Sequence, residues 1–391
     1  MPSSAISAVP IRVLLVEDSP VALAVIQNTL KTAPGIKVVG TASTGKEALA
    51  LIPTLAPQVI CTDLHMPHMD GLALTQAIMA QYPTPILVLS ISVQTQNTDR
   101  IFQLLDAGAV DILAKPVSGL TAADVSIKKA LIEKIRILAG VKVFRKKAVS
   151  VARSPSFSSV TPAAPVTPAA PVTPAASATP VLSTKRPKVI GIGASTGGPQ
   201  ALRVLLNQLP RACPPVICVQ HISTGFLSGL VNWLRQDCAA DITIAQAGDR
   251  PAPGRIYFAP SECHLTLDAR GRFELLGETP TIDGHRPSIT VTFESLAQYY
   301  GRRAAGVLLT GMGQDGAVGL RRIREAGGFT IAQDEATCVV FGMPQVAIEL
   351  GAATKVLPIE AIAPELGQLI HAPLTHSPLT QSPFIHNPEG Q

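Results

Sequence analysis

The sequence predicts two α/β domains, each built on a doubly wound parallel sheet and joined by a linker without regular structure. Three observations support this fold class. The chain has 391 residues, which is more than one hydrophobic core usually serves. Two regions alternate short apolar runs with helical patterns, as expected for parallel strands covered by helices. A repetitive segment rich in Pro and Ala separates the two regions.

The predicted strands are short apolar runs that recur along both regions. In the first region they are residues 12–16, 38–40, 59–62, 86–90 and 111–114, with helical patterns at 45–52 and 72–81. In the second region they are residues 188–193, 216–221, 255–259, 304–310 and 330–333, with a helical pattern at 199–209. Because parallel strands present functional groups at their carboxyl ends, we expect both sites at those sheet edges.

The segment between the regions reads VTPAAPVTPAAPVTPAA over residues 160–176, a six-residue repeat that favours extended, solvated chain. The predicted organisation follows from it. An N-terminal extension covers residues 1–10, a first domain 11–140, a disordered linker 148–185, a second domain 186–370 and a disordered tail 371–391.

Composition narrows the class of protein. Apolar residues make up 47% and charged residues 15%, with only ten Phe, four Tyr and one Trp, so the predicted cores are aliphatic. A net charge of +5 without a basic stripe argues against nucleic acid as a partner. The chain shows no apolar leader or span, which predicts a cytoplasmic protein without membrane insertion. The six cysteines form no C-x-x-C pair and receive no disulfide or metal role.

Polar residues gather at the predicted strand ends of the first region. Glu17 and Asp18 follow the first strand, Asp63 the third, Ser90 ends the fourth and Lys115 follows the fifth. Each alone has an ordinary explanation, such as a helix cap or a surface lysine. Together, the carboxylates predict a Mg²⁺ site, and Lys115 would offset charge on a phosphoryl group attacked by Asp63.

The motifs VEDS, CTDLHMPHMDG, VLS and AGAVDILAKP resemble the response-regulator receiver family over residues 11–140. The resemblance implies a flavodoxin-like fold in which Asp63 is the phosphoacceptor. It also implies that Glu17, Asp18 and Asp63 bind the metal and that Ser90 and Lys115 are the switch residues. One departure is Ile112, where many receivers have an aromatic switch residue.

A strand, a glycine turn and a helix open the second region, and three functions compete for such a turn. Dinucleotide binding requires glycine where Thr196 stands and an acidic residue where His221 stands. A nucleotide P-loop requires Lys where Pro199 stands. Both phosphate-binding alternatives fail, which leaves Gly-x-Ser195-x-Gly as a nucleophile elbow.

A serine nucleophile needs a base and an orienting acid. His221 ends the next predicted strand and Asp315 follows a later one, in the segment GMGQDG. A lone histidine is usually structural and an Asp-Gly pair is often a turn, but the shared sheet edge favours a triad. The amides of Thr196 and Met312 are the predicted oxyanion hole. The order Ser, His, Asp differs from that of α/β-hydrolases.

The motifs GIGASTGGPQAL, VQHI, APSECHLTL, GHRPSITVTFES, TGMGQDGAVGL and AQDEATCVVFGMPQVA closely resemble the methylesterase domain of the CheB family over residues 188–366. The resemblance implies a Rossmann-like domain in which Ser195 is the nucleophile, His221 the base and Asp315 the acid. His264 and His285 are alternative bases, which we interpret as structural or substrate-positioning. Thr290 departs from the family, which often has Asp there.

The resemblance implies a phosphorylation-activated serine hydrolase that demethylates glutamate γ-methyl esters on chemoreceptor helices and deamidates glutamines. It further implies the kinase CheA as phosphoryl donor and no cofactor for the esterase reaction. The long linker departs from the family, and we expect direct domain contacts to hold the inhibited state. Alternatives are a regulator of a non-chemotaxis receptor system and a phosphorylation-dependent binding module with a vestigial triad. A DNA-binding output is disfavoured.

Overall fold

The computed structural model describes residues 9–91, 98–116, 121–143 and 186–371. The predicted linker lies outside the described residues, as do most of the predicted N-terminal extension and all of the tail after His371. Within the described ranges, no helix combines the length and the apolar character that crossing a membrane requires.

The first domain is a five-stranded parallel sheet with the strand order β2-β1-β3-β4-β5. Its strands are β1 (Ile11–Val16), β2 (Ile36–Ala42), β3 (Val59–Asp63), β4 (Ile86–Ser90) and β5 (Asp111–Ala114). Its helices are α1 (Pro20–Lys31), α2 (Gly45–Leu55), α3 (Gly71–Gln81), α4 (Thr98–Ala107) and α5 (Ala122–Leu138). The predicted doubly wound fold is confirmed.

The helices of this domain begin at side chains that bind free backbone N–H groups. Ser19, Thr44 and Asp70 each cap the helix that follows. Thr121 forms a reciprocal capping box with Asp124, which orients the start of α5. These caps fix where each helix leaves the carboxyl edge of the sheet.

The second domain is a seven-stranded sheet with the order β14-β13-β12-β6-β7-β9-β8, again parallel. Its strands are β6 (Val189–Ala194), β7 (Val216–Gln220), β8 (Asp241–Ile244), β9 (Arg255–Phe258), β12 (Ala304–Leu308), β13 (Phe329–Gln333) and β14 (Lys355–Leu357). Its helices are α6 (Gly198–Leu206), α7 (Leu227–Arg235), α8 (Ile289–Tyr300), α9 (Ala317–Glu325), α10 (Met343–Glu349) and α11 (Ile359–His371). An antiparallel hairpin, β10 (His264–Leu267) with β11 (Phe273–Leu276), packs beside α8.

The sequence did not predict β8, β14 or the hairpin. β14 has three residues and β8 four, both lie at sheet edges and both are partly exposed, so neither leaves a long apolar run. The strand predicted at 216–221 ends one residue earlier, at Gln220. His221 is therefore the first residue beyond the strand, where its side chain is released from the alternation of the sheet.

The two domains pack together through α4, which contacts α7 and α6. Phe102 of α4 stacks on Trp233 of α7 with ring centroids 5.5 Å apart, and both side chains are buried. Gln200 of α6 donates a hydrogen bond of 2.9 Å to the Ala109 carbonyl in the first domain. The junction thus has an aromatic centre with polar contacts beside it.

Candidate active site and phosphorylation site

The strand order of the first domain brings its five predicted site residues to one edge. Lys115 lies between two carboxylates, with its Nζ 2.6 Å from Asp63 and 2.9 Å from Glu17. Asp63 also accepts a hydrogen bond of 2.6 Å from the Leu64 N–H. Ser90 ends the neighbouring strand and is buried. The Asp63 carboxylate therefore lies beside the Lys115 cation, at the edge of the sheet where β4 ends with Ser90.

The acidic group at this edge fits a divalent cation. One carboxylate oxygen from each of Glu17, Asp18 and Asp63 lies within 4.8 Å of the others. Oxygen donors of this kind suit a hard ion such as Mg²⁺. The structure therefore supports a metal-binding pocket.

Burial and ion pairing have opposite effects on the pKa values of Glu17 and Lys115 in this pocket. Burial raises the pKa of Glu17 above its ordinary value, although the hydrogen bond from Lys115 counteracts the shift. Burial alone would lower the pKa of Lys115, but its hydrogen bonds to Asp63 and Glu17 outweigh burial and raise it. Lys115 is accordingly held as a cation beside Asp63.

In the second domain, Ser195 directly follows β6 and lies in the sharp turn before α6. Its N–H donates to the Thr310 carbonyl beyond β12 at 3.0 Å, which ties the turn to the neighbouring strand. Gly197 has a φ of 76°, the left-handed conformation that glycine adopts without strain. A Cβ at Gly311 would lie 2.6 Å from the Ser195 Cβ, so only glycine allows this close approach.

His221 follows β7 at the position next to Ser195 across the sheet. Ala194 pairs with Gln220, and the His221 N–H donates to the Ala194 carbonyl at 2.9 Å. The buried Gln220 amide donates to the carbonyls of both Ser195 and His221 at 2.8 Å. This clamp fixes the backbone of the two residues relative to each other.

Asp315 meets the His221 ring as the predicted triad requires. The His221 Nε2 and the Asp315 Oδ2 are 2.9 Å apart, and the Asp315 side chain is buried. Since an ionised carboxylate only accepts hydrogen bonds, the geometry assigns the donor role to the Nε2–H that faces Asp315. Among the described residues, the buried Nδ1 has no hydrogen-bond partner.

The start of α8 supplies the remaining donors to Asp315. Its Oδ1 accepts from the Ser288 Oγ at 2.8 Å and the Thr290 N–H at 2.9 Å, and its Oδ2 also accepts from the Ile289 N–H at 2.8 Å. Burial alone would raise the pKa of Asp315, but the hydrogen bonds with His221 and with these amides hold it well below its ordinary value. Asp315 is therefore a permanent anion at a helix N-terminus.

Two further histidines surround the triad. His285 stacks on His221 with ring centroids 3.7 Å apart and an angle of 8° between the planes. The buried His264 accepts from the Ser288 N–H through Nδ1 at 3.1 Å, and its Nε2 lies 3.0 Å from the Pro280 carbonyl. With both ring nitrogens engaged, His264 positions the Ser288 loop and has no nitrogen left to serve as a base.

Thr290, the departure from the family motif, serves the loop of Asp315 in this chain. Its Oγ1 accepts a hydrogen bond of 2.7 Å from the Gly316 N–H, directly after the triad acid. The hydroxyl therefore braces the GMGQDG segment from within the protein.

The two predicted oxyanion donors come from different segments, one directly after Ser195 and one after β12. Thr196 follows Ser195 directly, and Met312 follows Gly311, which packs against the Ser195 side chain. Within the part of the chain that the structure describes, neither N–H donates to another protein group. Both amides remain free for a developing oxyanion.

Removing the Ser288 hydroxyl should slow turnover. We expect Ser288→Ala to lower kcat by about tenfold to a hundredfold, because a hydrogen bond to the charged Asp315 is worth about 1.5–3 kcal/mol. The hydroxyl also caps α8 by accepting from the Val291 N–H. Thr44→Ala, which removes the cap of α2, is the matched control: it should cost similar stability and leave kcat unchanged. Equal kcat in both variants would contradict this role.

His285 should make stability depend on pH. Burial, reinforced by His221, lowers the pKa of His285 from 6.5 to about 4. As the pH falls from 7.5 to 5, the unfolded chain therefore binds a proton at His285 and the folded chain does not. The free energy of unfolding consequently decreases by about 2 kcal/mol over this interval. The free energy of unfolding of His285→Gln, measured by urea unfolding with Trp233 fluorescence, should decrease by about 2 kcal/mol less over this interval than that of the original chain.

The exposed His65 offers the control for this experiment. His65→Gln should show the same loss of unfolding free energy as the original chain. If His285→Gln also behaves like the original chain, then His285 is not held neutral by its surroundings.

The domain junction lies next to this site. Asp106 of the first domain accepts from the Trp233 Nε1 at 3.2 Å and forms an ion pair with Arg203. Arg203 also donates to Asp237 at 2.9 Å and lies over the Trp233 ring, 4.6 Å from its centroid. These contacts join α4 to α6 and α7.

Lys134 of α5 extends from the first domain to Thr196, the residue after Ser195. Its Nζ forms an ion pair with Asp111 and lies 3.4 Å from the Thr196 Oγ1. The same domain contacts Ser223, two residues after His221, where the hydroxyl accepts from the Ala114 N–H at 3.4 Å. In this arrangement the first domain contacts the second domain at Thr196 and Ser223, whereas Met312 is exposed.

Comparisons with known proteins give a family match for each of the two domains. Residues 13–122 match the family model described as the response regulator receiver domain, and residues 190–366 match the CheB methylesterase model. A protein-glutamate methylesterase/protein-glutamine glutaminase from Nitrosospira multiformis is 40% identical over 363 residues, which are 92% of this chain and 97% of that protein. The chain belongs to the protein-glutamate methylesterase/protein-glutamine glutaminase family.

Other members of the family are equally similar. A relative from Anaeromyxobacter dehalogenans with the same name, numbered 2, is 42% identical over 362 residues, or 92% of this chain and 97% of that protein. The crystal structure of the Thermotoga maritima CheB methylesterase catalytic domain is 37% identical, covers 47% of this chain and 98% of its own, and has a TM-score of 0.45. The response regulator domain of the same CheB is 32% identical over 34% of this chain and 99% of its own, with a TM-score of 0.31.

The sequence did not indicate several residues that contact the candidate site in the structure. Gln220, Ser288 and Lys134 are examples, since each acts on the site through a contact that is distant in sequence. For Gln220 a signal was available, because it is a polar residue inside the apolar run PVICVQH. For Ser288 the signal was the helix-capping pattern before ITVTFES.

Proposed function

We propose that this chain is a phosphorylation-activated serine hydrolase of the cytoplasm that demethylates glutamate γ-methyl esters on chemoreceptor helices and deamidates glutamines there. The observation that carries the proposal is the state of the His221 ring. Its Nε2 is hydrogen-bonded to the anionic Asp315, and its Nδ1 has no partner among the described residues. His221 and Ser195 follow adjacent strands of the sheet. A base held in this way is what an attacking serine requires.

Acylation follows from these groups. The Ser195 hydroxyl attacks the ester carbonyl while His221 Nδ1 takes its proton, and Asp315 stabilises the imidazolium. The N–H groups of Thr196 and Met312 donate hydrogen bonds to the carbonyl oxygen and stabilise the negative charge that develops on it. The tetrahedral species then expels methoxide, which leaves as methanol with the proton from His221.

Deacylation repeats these steps with water. His221 removes a proton from water, the resulting hydroxide attacks the acyl carbonyl, and Ser195 leaves with the proton returned by His221. The product is a glutamate carboxylate. A glutamine side chain follows the same route with ammonia as the leaving group, which accounts for both activities in the family name.

The first domain supplies the control. We propose Asp63 as the phosphoacceptor, with Glu17, Asp18 and Asp63 holding Mg²⁺ and the histidine kinase CheA as the donor. When bound, the metal neutralises charge on the transferred phosphoryl group. Lys115 contributes a second positive charge 2.6 Å from the Asp63 carboxylate, and Ser90 is the hydroxyl that would bind the phosphoryl oxygens.

The domain junction supports inhibition of the unphosphorylated chain by direct contact. Lys134 lies 3.4 Å from the Thr196 hydroxyl, and the contacts of α4 with Trp233 and Arg203 hold the two domains together. Ser195 is buried in this arrangement, so we infer that a receptor helix reaches it only after the domains separate. Although the linker is long, a junction with an aromatic stack and ion pairs can hold the closed state.

Weakening the junction should raise the basal rate. Asp106→Ala removes the acceptor for Trp233 and the partner of Arg203, which we estimate to cost the closed state about 1 kcal/mol. Methanol release without acetyl phosphate should therefore increase about fivefold. The rate with acetyl phosphate should stay the same, because the open state lacks this contact.

Glu133→Ala is the matched control for this test, since Glu133 pairs only with Lys129 on the same helix among the described residues. Its basal rate should equal that of the original chain. A basal rate in Asp106→Ala that matches the control would remove the junction from the mechanism of inhibition.

A further inference from the structure

A second cavity lies at the opposite edge of the catalytic sheet. Lys188 directly precedes β6 and Arg303 directly precedes β12, whereas Ser195 follows β6. Since β6 has six residues, the two edges are about 20 Å apart. The cavity has a volume of about 370 Å³, within the range of small-molecule sites. It is therefore separate from the triad.

Four cationic side chains line this cavity, and they come from four separate segments of the domain. They are Lys188, Arg250, Arg270 and Arg303. Among the described residues, none of these four side chains forms an ion pair or a hydrogen bond with the protein, and no carboxylate lines the cavity. Like charges around one space repel each other, and an anion in that space would relieve the repulsion.

Asp268, which lies two residues before Arg270, does not neutralise the group. The Asp268 carboxylate accepts the N–H groups of Arg270 and Arg272, both at 2.8 Å, and these bonds lower its pKa. It thereby holds the turn that presents Arg270. The second domain is otherwise rich in paired cations, such as Arg321 with Glu325, so the unpaired set is a local feature.

Two tyrosines complete the lining. Tyr299 and Tyr300, at the end of α8, meet edge to face with ring centroids 4.9 Å apart. Tyr299 is 44% exposed, so part of its ring is available for stacking. Phenol hydroxyls can donate to phosphate oxygens, and an aromatic face can stack on a nucleobase.

We propose that this cavity binds a ligand with a pyrophosphate group, with the arginine forks on the phosphate oxygens. Arginine matches phosphate geometry with two parallel hydrogen bonds, and three arginines with one lysine suit a ligand with several negative charges. The size of the cavity and the two tyrosines suit a nucleoside diphosphate or triphosphate. Inorganic pyrophosphate carries the same chemistry, and the experiment separates the two.

The test is isothermal titration calorimetry of the full chain with pyrophosphate, ADP and citrate in EDTA. We expect pyrophosphate to bind, and Arg270→Gln/Arg303→Gln to weaken its binding at least about tenfold. Arg136→Gln, an exposed residue of the first domain, is the control for a positive charge removed far from the cavity and should bind normally. Thermal unfolding of each variant shows that it is folded.

The tyrosines distinguish the two sources of the anion. If ADP binds more tightly than pyrophosphate and Tyr299→Ala removes the difference, the ligand is a nucleotide. If the two bind equally, the site holds the pyrophosphate group alone. Absence of binding by pyrophosphate and ADP, binding of citrate as tight as that of pyrophosphate, or unchanged binding in the double arginine variant would each overturn the proposal.

Discussion

Ser195→Ala is expected to lower methanol release from methylated receptor membranes by about 10⁴-fold to 10⁶-fold. The variant keeps the turn and the His221–Asp315 pair but has no atom that can form the acyl intermediate. The residual rate would come from the oxyanion donors and substrate binding alone. The rate should be measured with acetyl phosphate present, so that chemistry and not domain opening limits it.

The control for this variant is Ser228→Ala, on an exposed position of α7 in the same domain. It should release methanol at the original rate. The experiment also separates an enzyme from a binding module with a vestigial triad. If Ser195→Ala retains the full rate, the hydrolysis belongs to another site and the proposed triad is wrong.

Acetyl phosphate should raise methanol release by the full chain about tenfold to a hundredfold, and Asp63→Asn should abolish this increase. The phosphoryl group on Asp63 would engage Ser90 and Lys115, and Lys115 would leave its present bonds to Glu17 and Asp63. The rearranged edge of the sheet would then release α4 and α5 from the catalytic domain. The rate of methanol release with and without acetyl phosphate measures the effect.

Two controls make this result specific. Asp70→Asn changes an acidic residue near the same edge that caps α3, and it should be activated normally because asparagine also caps helices. Removing divalent cations with EDTA should prevent activation of the original chain, since the acidic pocket is proposed to hold Mg²⁺. Normal activation of Asp63→Asn would exclude Asp63 as the phosphoacceptor.

The sequence predicted the fold and the meeting of the site residues for one physical reason. In a parallel sheet all strands end at the same edge, so residues that directly follow strands must be neighbours. By this rule Asp63 and Lys115 form an ion pair in one domain, and Ser195 and His221 follow adjacent strands in the other. Asp315 was predicted in the same way, because it follows β12 after a short glycine-rich segment.

Contacts that depend on irregular segments could not be predicted in this way. Ser288 reaches Asp315 from a loop whose path has no periodic signal, and His264 holds that loop from the hairpin that the sequence did not reveal. The position of Lys134 depends on how two domains dock, which no local pattern records. The residues proposed to perform the chemistry therefore lie where the predicted strand ends place them, whereas the residues that position them depend on contacts that no local pattern records.

The proposed mechanism requires Ser195 to form an ester with the receptor glutamate. The most direct measurement is a rapid acid quench of the full chain, activated with acetyl phosphate and mixed with methylated receptor, followed by mass spectrometry of the peptides. We predict a covalent receptor-to-enzyme species linked at Ser195 that forms with the first methanol released and disappears as glutamate is produced. Methanol release without such a species, or a species linked at another residue, would contradict this mechanism.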